Sequence, residues 1–217
     1  DYGHTDSCGR NLLHYLTEMD MIPEIRKVLK KIPIDLRDND RETPLHYALW
    51  ERSAKGPQYL IQHGANVNCK ERHGASALHI VACKNIRYYN GDRYYRPVDL
   101  IKLLLQYHAE QESRDKEGMT PLLYAAINSY CRNLRKLIEC GANVNAKSKH
   151  GKTALHILMD AYPENDTLKC IDLLLAEGVA VNARDCRGNT ALHTPFLEYW
   201  KKVEGEREKK QMRAICR

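Results

Sequence analysis

The sequence predicts an all-α solenoid of short helix–turn–helix units, joined by hairpin loops and stacked on one another. Three observations predict it. A Leu-His pair, or a close relic of it, recurs with its last position at 14, 46, 79, 123, 156 and 193, so the spacings are 32, 33, 44, 33 and 37. A second pattern, Leu-x-x-x-Gly-x-x-Val-Asn, appears at Leu60 to Asn68, Leu137 to Asn145 and Leu174 to Asn182. Each predicted helix spans only about two or three turns, too short to be stable alone in water. Its apolar stripe must therefore be buried on the next unit. A period near 33 with two insertions fixes the architecture.

The units follow in order. The first is Gly9-Arg10-Asn11-Leu12-Leu13-His14, and Asp6-Ser7-Cys8-Gly9 before it reads as the end of a hairpin. That hairpin, and a start at Asp1 rather than Met, lead us to expect an excised or mature fragment of a longer array. The second is Arg41-Glu42-Thr43-Pro44-Leu45-His46. Thr43 caps a helix whose first turn holds Pro44, where a missing N–H costs nothing. Leu45, Ala48 and Leu49 supply its apolar face. Arg41 stands where other units have Gly, which predicts a strained or differently shaped turn. The third, Gly74-Ala75-Ser76-Ala77-Leu78-His79, carries eleven extra residues within Lys84 to Pro97 and ends at His108 in place of Gly. The fourth, Gly118-Met119-Thr120-Pro121-Leu122-Leu123, has lost the motif His; its second helix, around Leu134 to Ile138, ends at Gly141. The fifth, Gly151-Lys152-Thr153-Ala154-Leu155-His156, gains four residues around Tyr162 to Thr167. The sixth is Gly188-Asn189-Thr190-Ala191-Leu192-His193, where Pro195 is expected to break the helix. The array is placed at 1–193, with units starting near 9, 41, 74, 118, 151 and 188. Residues 194–217 are expected to form a basic helical cap or to begin a further region.

Thr-Pro-Leu-His, Gly-Ala-x-Val-Asn and the 33-residue period together resemble the ankyrin-repeat family, over roughly residues 6–193. The resemblance implies an ankyrin-repeat solenoid that binds protein partners and performs no catalysis. It also implies that His14, His46, His79, His156 and His193, with their neighbouring Thr, tie adjacent repeats together by hydrogen bonds. Ligands spaced one per repeat cannot converge on a single ion, so no metal is expected. His63, His73, His108 and His150 are placed at helix ends or hairpin tips, in solvent.

Composition narrows the remaining classes. The net charge is +6, but residues 201–217 hold seven Lys/Arg against three Glu and so carry +4 of it. The rest of the surface is nearly balanced, which argues against a continuous nucleic-acid groove. No apolar run approaches the roughly 18–20 residues of a membrane span. Eight Cys form no CxxC pair and no zinc-finger spacing, so reduced thiols in an intracellular protein, cytoplasmic or nuclear, are expected. There is no phosphate-binding glycine loop, paired-carboxylate signature or nucleophile elbow, hence no enzyme, no cofactor and no small-molecule substrate.

The inner helices, together with two groups of residues, are the candidate contact surface. The hairpin tips carry Lys70 and Arg72 in one unit and Lys147 and Lys149 in another, a basic rail suited to an acidic partner surface. The tip at Lys147 and Lys149 has no acid. The insertion of the third unit carries Tyr88, Tyr89, Arg93, Tyr94, Tyr95 and Arg96 around Asn90-Gly91, a turn signal for a small hairpin. Tyr and Arg are the types enriched in interface hot spots, and thirteen Tyr against one Phe suit a wet contact surface. Asn68, Asn145 and Asn182 occupy a hairpin position hydroxylated in some ankyrin proteins, but the acid preferred two positions earlier is missing. The alternative reading is the substrate-recognition part of an adaptor, or of a viral- or symbiont-type effector, that recruits machinery such as a ubiquitin ligase.

Overall fold

A computed structural model describes residues 4–50, 55–84, 97–161 and 165–193. It divides into two compact units, residues 1–116 and 117–217. The described residues are helical, with two isolated antiparallel bridges, Thr5 with Asn11 and Lys70 with Ser76.

In the first unit three helix pairs follow one another: α1 (Leu12–Glu18) and α2 (Ile22–Val28), α3 (Pro44–Trp50) and α4 (Lys55–Gln62), then α5 (Ala77–Ala82) and α6 (Pro97–Gln106). Like packs on like: α1 against α3 and α3 against α5, while α2 meets α4 and α4 meets α6. The second unit repeats the arrangement with α7 (Pro121–Ile127), α8 (Cys131–Glu139), α9 (Ala154–Asp160) and α10 (Asn165–Ala176), followed by a 3₁₀ turn at Ala191–His193. There α7 packs on α9 and α8 on α10.

The apolar positions read from the motif form the core. Leu13, Ala48, Leu49, Leu78, Leu123 and Leu155 are completely buried. The 44-residue spacing is explained by residues that fall between α5 and α6, and the second insertion falls between α9 and α10. Of these, 85–96 and 162–164 lie outside the described residues, as does 194–217 with Pro195.

Each first helix begins on a cap made by the motif itself. Thr43 N donates to His46 Nδ1 across 3.1 Å, and the Thr43 hydroxyl lies 2.8 Å from the same nitrogen. Thr153 and His156 repeat this at 3.3 and 2.8 Å, Ser76 and His79 at 3.2 and 2.9 Å. Histidine thus occupies the position that Glu fills in an ordinary capping box. An Nδ1 that accepts from a backbone N–H carries no proton, so the ring is neutral and its Nε2 bears the hydrogen. Where Leu123 replaces the His, Thr120 still caps alone, its hydroxyl accepting from Leu123 N at 3.4 Å.

Two turns expected to differ keep the common shape. Arg41 and His108 hold φ of 63° and 62°, the left-handed region that the motif Gly residues occupy. Neighbouring bonds hold them there. Asp38 accepts from the backbone N–H of Asp40 and Glu42 at 2.9 and 2.8 Å around Arg41. Asn68 grips the His108 turn from the preceding repeat, donating to His108 O at 3.0 Å and accepting from Glu110 N at 2.8 Å.

Candidate functional site

The hairpin tips are built on one repeated device. An acidic side chain folds back and accepts two backbone N–H groups of its own turn: Asp6 from Cys8 and Arg10, Asp38 from Asp40 and Glu42, Glu71 from His73 and Ala75, Asp185 from Arg187 and Asn189, all between 2.8 and 2.9 Å. Short polar side chains close such turns by replacing a backbone acceptor. The acids that thin the basic charge of the tips are therefore the acids that shape them. The exception is the tip at Lys147 and Lys149. Ser148 stands in the acid's place and accepts only weakly from Lys152 N, at 3.3 Å.

Consecutive tips are stitched together by one backbone bond each. Asn39 N donates to Cys8 O, Arg72 N to Asp40 O and Lys116 N to His73 O in the first unit. Lys149 N donates to Glu117 O and Cys186 N to His150 O in the second. The approach is close enough to require glycine at one side. A Cβ on Gly118, which sits at φ 69°, would fall 2.8 Å from Lys149 N.

These stitches assign different tasks to the four candidate tip cations. Lys70 Nζ donates to Arg114 O at 2.9 Å and Lys147 Nζ to Arg184 O at 3.0 Å, so both reach along the stack to the next hairpin. Arg72 pairs with Asp40 across 2.7 Å, with both side chains more than half exposed. Such an exposed pair contributes little to stability. Lys149 is exposed at the tip. Tyr88, Tyr89, Arg93, Tyr94, Tyr95 and Arg96 lie outside the described residues.

A second row of side chains, on the first helices, was not foreseen from the motifs. Tyr15 donates its hydroxyl to Asp6 at 2.7 Å, and Tyr47 donates to Asp38 at 2.8 Å. Arg10 lies 4.7 Å over the Tyr15 ring and pairs with Asp6 at 2.8 Å. Trp50, 52% exposed, donates Nε1–H to Glu42 at 3.4 Å. Burial and the bond to Asp38 push the Tyr47 hydroxyl far above the usual phenol range, and burial raises Glu42. The signal was present: Tyr15 and Tyr47 each directly follow the motif His, at the position that leaves the core.

The row runs to the root of the large insertion. Lys84, the last described residue before it, donates from Nζ to the Leu49 carbonyl at the end of α3 and lies 5.3 Å over the Trp50 ring. A cation on a Trp face is a favourable contact.

The motif histidines are structural. His14, His46, His79 and His156 are at most 3% exposed, whereas His193 keeps its bond to Thr190 but is exposed. Among the described residues no cluster of three or more His, Cys, Asp or Glu could hold a metal ion. His63, His73, His108 and His150 are exposed, as expected.

Comparison with known proteins decides the lineage. The family described as "Ankyrin repeats (3 copies)" matches residues 1–71 and 91–161, and "Ankyrin repeat" matches 150–186. This chain is an ankyrin-repeat protein. The nuclear factor NF-kappa-B p105 subunit of Gallus gallus is 32% identical over 188 residues, covering 81% of this chain and 17% of that protein. The B-cell lymphoma 3 protein homolog of Mus musculus is 29% identical over 184 residues, 70% of this chain and 41% of that one. The chain thus spans less than half the length of these two curated relatives. A solved ankyrin repeat domain from Acinetobacter baumannii AYE superposes with a TM-score of 0.76 at 27% identity, covering 93% of this chain and 96% of that one. Ankyrin repeats are generally protein–protein interaction modules rather than enzymes, and among the described residues no helix is long and apolar enough to cross a membrane.

Proposed function

We infer that this ankyrin array is a non-enzymatic module that captures a partner protein through the first-helix row, the hairpin tips and the Tyr/Arg-rich insertion. The observation that carries the reading is Lys84. It anchors the root of the insertion beside Trp50, the most exposed ring of the Tyr15, Tyr47 and Trp50 row. The segment that follows Lys84 in the chain carries four Tyr and several arginines, and Trp50 beside its root is half open to solvent. Aromatic and Arg side chains in such patches carry most of an interface's energy. The partner surface is acidic, drawn by Lys149 and by the insertion's arginines, and nucleic acid is not the target. The array operates in the cytoplasm or nucleus, where thiols are reduced at rest.

The test is a cross-linking pull-down from cells with the intact chain and with a variant replacing Tyr88, Tyr89, Tyr94 and Tyr95 by Ala. The variant should melt within a degree or two of the parent and lose the captured protein. Unchanged capture, or capture of nucleic acid instead, removes the insertion from the contact surface.

A further inference from the structure

Seven cysteines are described, and their surroundings differ sharply. Cys69 is buried, and its sulfur accepts from Arg37 Nη2 at 3.6 Å. Cys83 donates to Ile80 O at 3.2 Å, and burial raises its thiol. Cys8 and Cys186 are exposed on hairpin tips. Cys131 and Cys170 instead influence each other.

Cys131 opens α8 and Cys170 lies in α10, and the two helices pack together in the second unit. One turn before Cys170, on the same face of α10, Thr167 meets the residue that leads into α8: the Ser129 and Thr167 hydroxyls lie 2.8 Å apart. That contact pins the start of α8 over the Thr167 and Cys170 face, independently of the sulfurs. The two thiols act on each other across this contact, Cys170 as the donor. Cys170 is fully buried, whereas Cys131 is half-buried and open to a small reagent. The bond from Cys170 lowers the Cys131 thiol first of all; Arg135 on α8 and Lys169 on α10 help, against burial and Asp166. The Cys170 thiol is raised by the same bond and by burial. One sulfur is an accessible nucleophile and the other a held proton source.

We propose that Cys131 and Cys170 form a peroxide-reactive dithiol, which closes to a disulfide bracing the second helices of two consecutive repeats. The Cys131 thiolate attacks one oxygen of hydrogen peroxide and the O–O bond breaks. Hydroxide leaves and is protonated to water, and Cys131 becomes a sulfenic acid. The Cys170 sulfur then attacks the Cys131 sulfur and the S–O bond breaks. The Cys170 proton goes to the departing hydroxyl, which leaves as a second water. Two thiols and one peroxide thus give one disulfide and two waters, and a thiol reductant reverses the step. Closing the S–S bond brings the two sulfurs to about 2.05 Å across the contact between α8 and α10. The bond encloses the segment from 131 to 170, α9 included.

The experiment uses the full chain, exposed to a small excess of hydrogen peroxide, quenched by alkylation and mapped by mass spectrometry of its peptides. The expected first product is a peptide pair joined through Cys131 and Cys170, lighter by two hydrogens. It should be accompanied by a melting temperature higher by about 5 °C or more, restored by dithiothreitol. With C170S, Cys131 should instead be trapped by dimedone as a sulfenic acid. A first cross-link between other cysteines, oxidation of Cys131 straight to the sulfinic acid in the parent chain, or a folded C170S chain that dimedone does not label would each overturn the proposal. The peptide map of the parent chain decides the matter even if C170S does not fold.

Discussion

His156 Nε2 lies 3.1 Å from the backbone carbonyl of Asn189, 33 residues further along, so one imidazole spans one repeat. The same ring closes the cap of its own helix through Nδ1 and Thr153. His14 does likewise, reaching Glu42 O at 3.3 Å. His156→Ala should therefore cost about 1–3 kcal/mol in urea unfolding, by orphaning Thr153 N and the Asn189 carbonyl together. Chelators should leave the parent unchanged. An unaltered midpoint in the variant would dismiss the bridging role.

Acid should weaken the first unit through His46. This ring is 1% exposed, and burial pushes its pKa down to about 4 against an ordinary 6.5. A folded-state value below the unfolded one means that the neutral ring's contribution is complete above pH 6.5. It is lost as pH falls toward 4, because there the unfolded chain binds a proton the folded chain refuses. The loss should reach about 3 kcal/mol. Protonation also places a hydrogen on the nitrogen that accepts from Thr43 N. Denaturant titrations at pH 7 and pH 4.5, with His46→Gln as the control, check this. An equal acid loss in the control would point elsewhere.

The tips give a matched pair of changes. Asp38 accepts two backbone N–H groups and the Tyr47 hydroxyl and is 8% exposed, so Asp38→Ala should cost about 2–3 kcal/mol. Ser148→Asp should instead gain stability, by about 0.5–1 kcal/mol, since it restores the acceptor its siblings have. Urea midpoints that move the other way would separate tip shape from these acids.

Arg41→Gly and His108→Gly should each stabilise the chain by about 0.5–1 kcal/mol. Both positions are left-handed, where a Cβ is disfavoured. A loss on either substitution would mean that side-chain contacts outweigh the backbone term.

Charge reversal should distinguish the tip lysines. Lys149→Glu should slow association with an acidic partner and flatten its salt dependence, with the melt unchanged. Lys147→Glu and Lys70→Glu should lower the melt as well, because each loses its carbonyl in the next hairpin. Equal melts for all three would cancel that distinction.

The motifs made the repeats, caps and core legible because each is a local demand. A Thr-Pro start or a Leu four residues before a capping Gly states its own geometry. What the sequence concealed was cooperative. Arg41 and His108 look like broken turns in isolation, yet Asp38 and Asn68 hold them in the common conformation. The tip acids look like charge dilution until their backbone partners are seen. Tyr15 and Tyr47 carry no motif of their own, and only the register beside His14 and His46 marks their face. Lys70 and Lys147 read as free cations because a carbonyl acceptor leaves no trace in side-chain composition.

The single backbone bond at each junction between hairpins has a mechanical corollary. Pulled from one end within a unit, such an edge carries load in series, one hairpin junction at a time. Force would not be shared across many parallel bonds, as in a sheet sheared along its strands. Each unit should therefore lengthen in steps of about one repeat under modest tension, and recoil one repeat at a time when released. A module that yields in this way behaves as a spring.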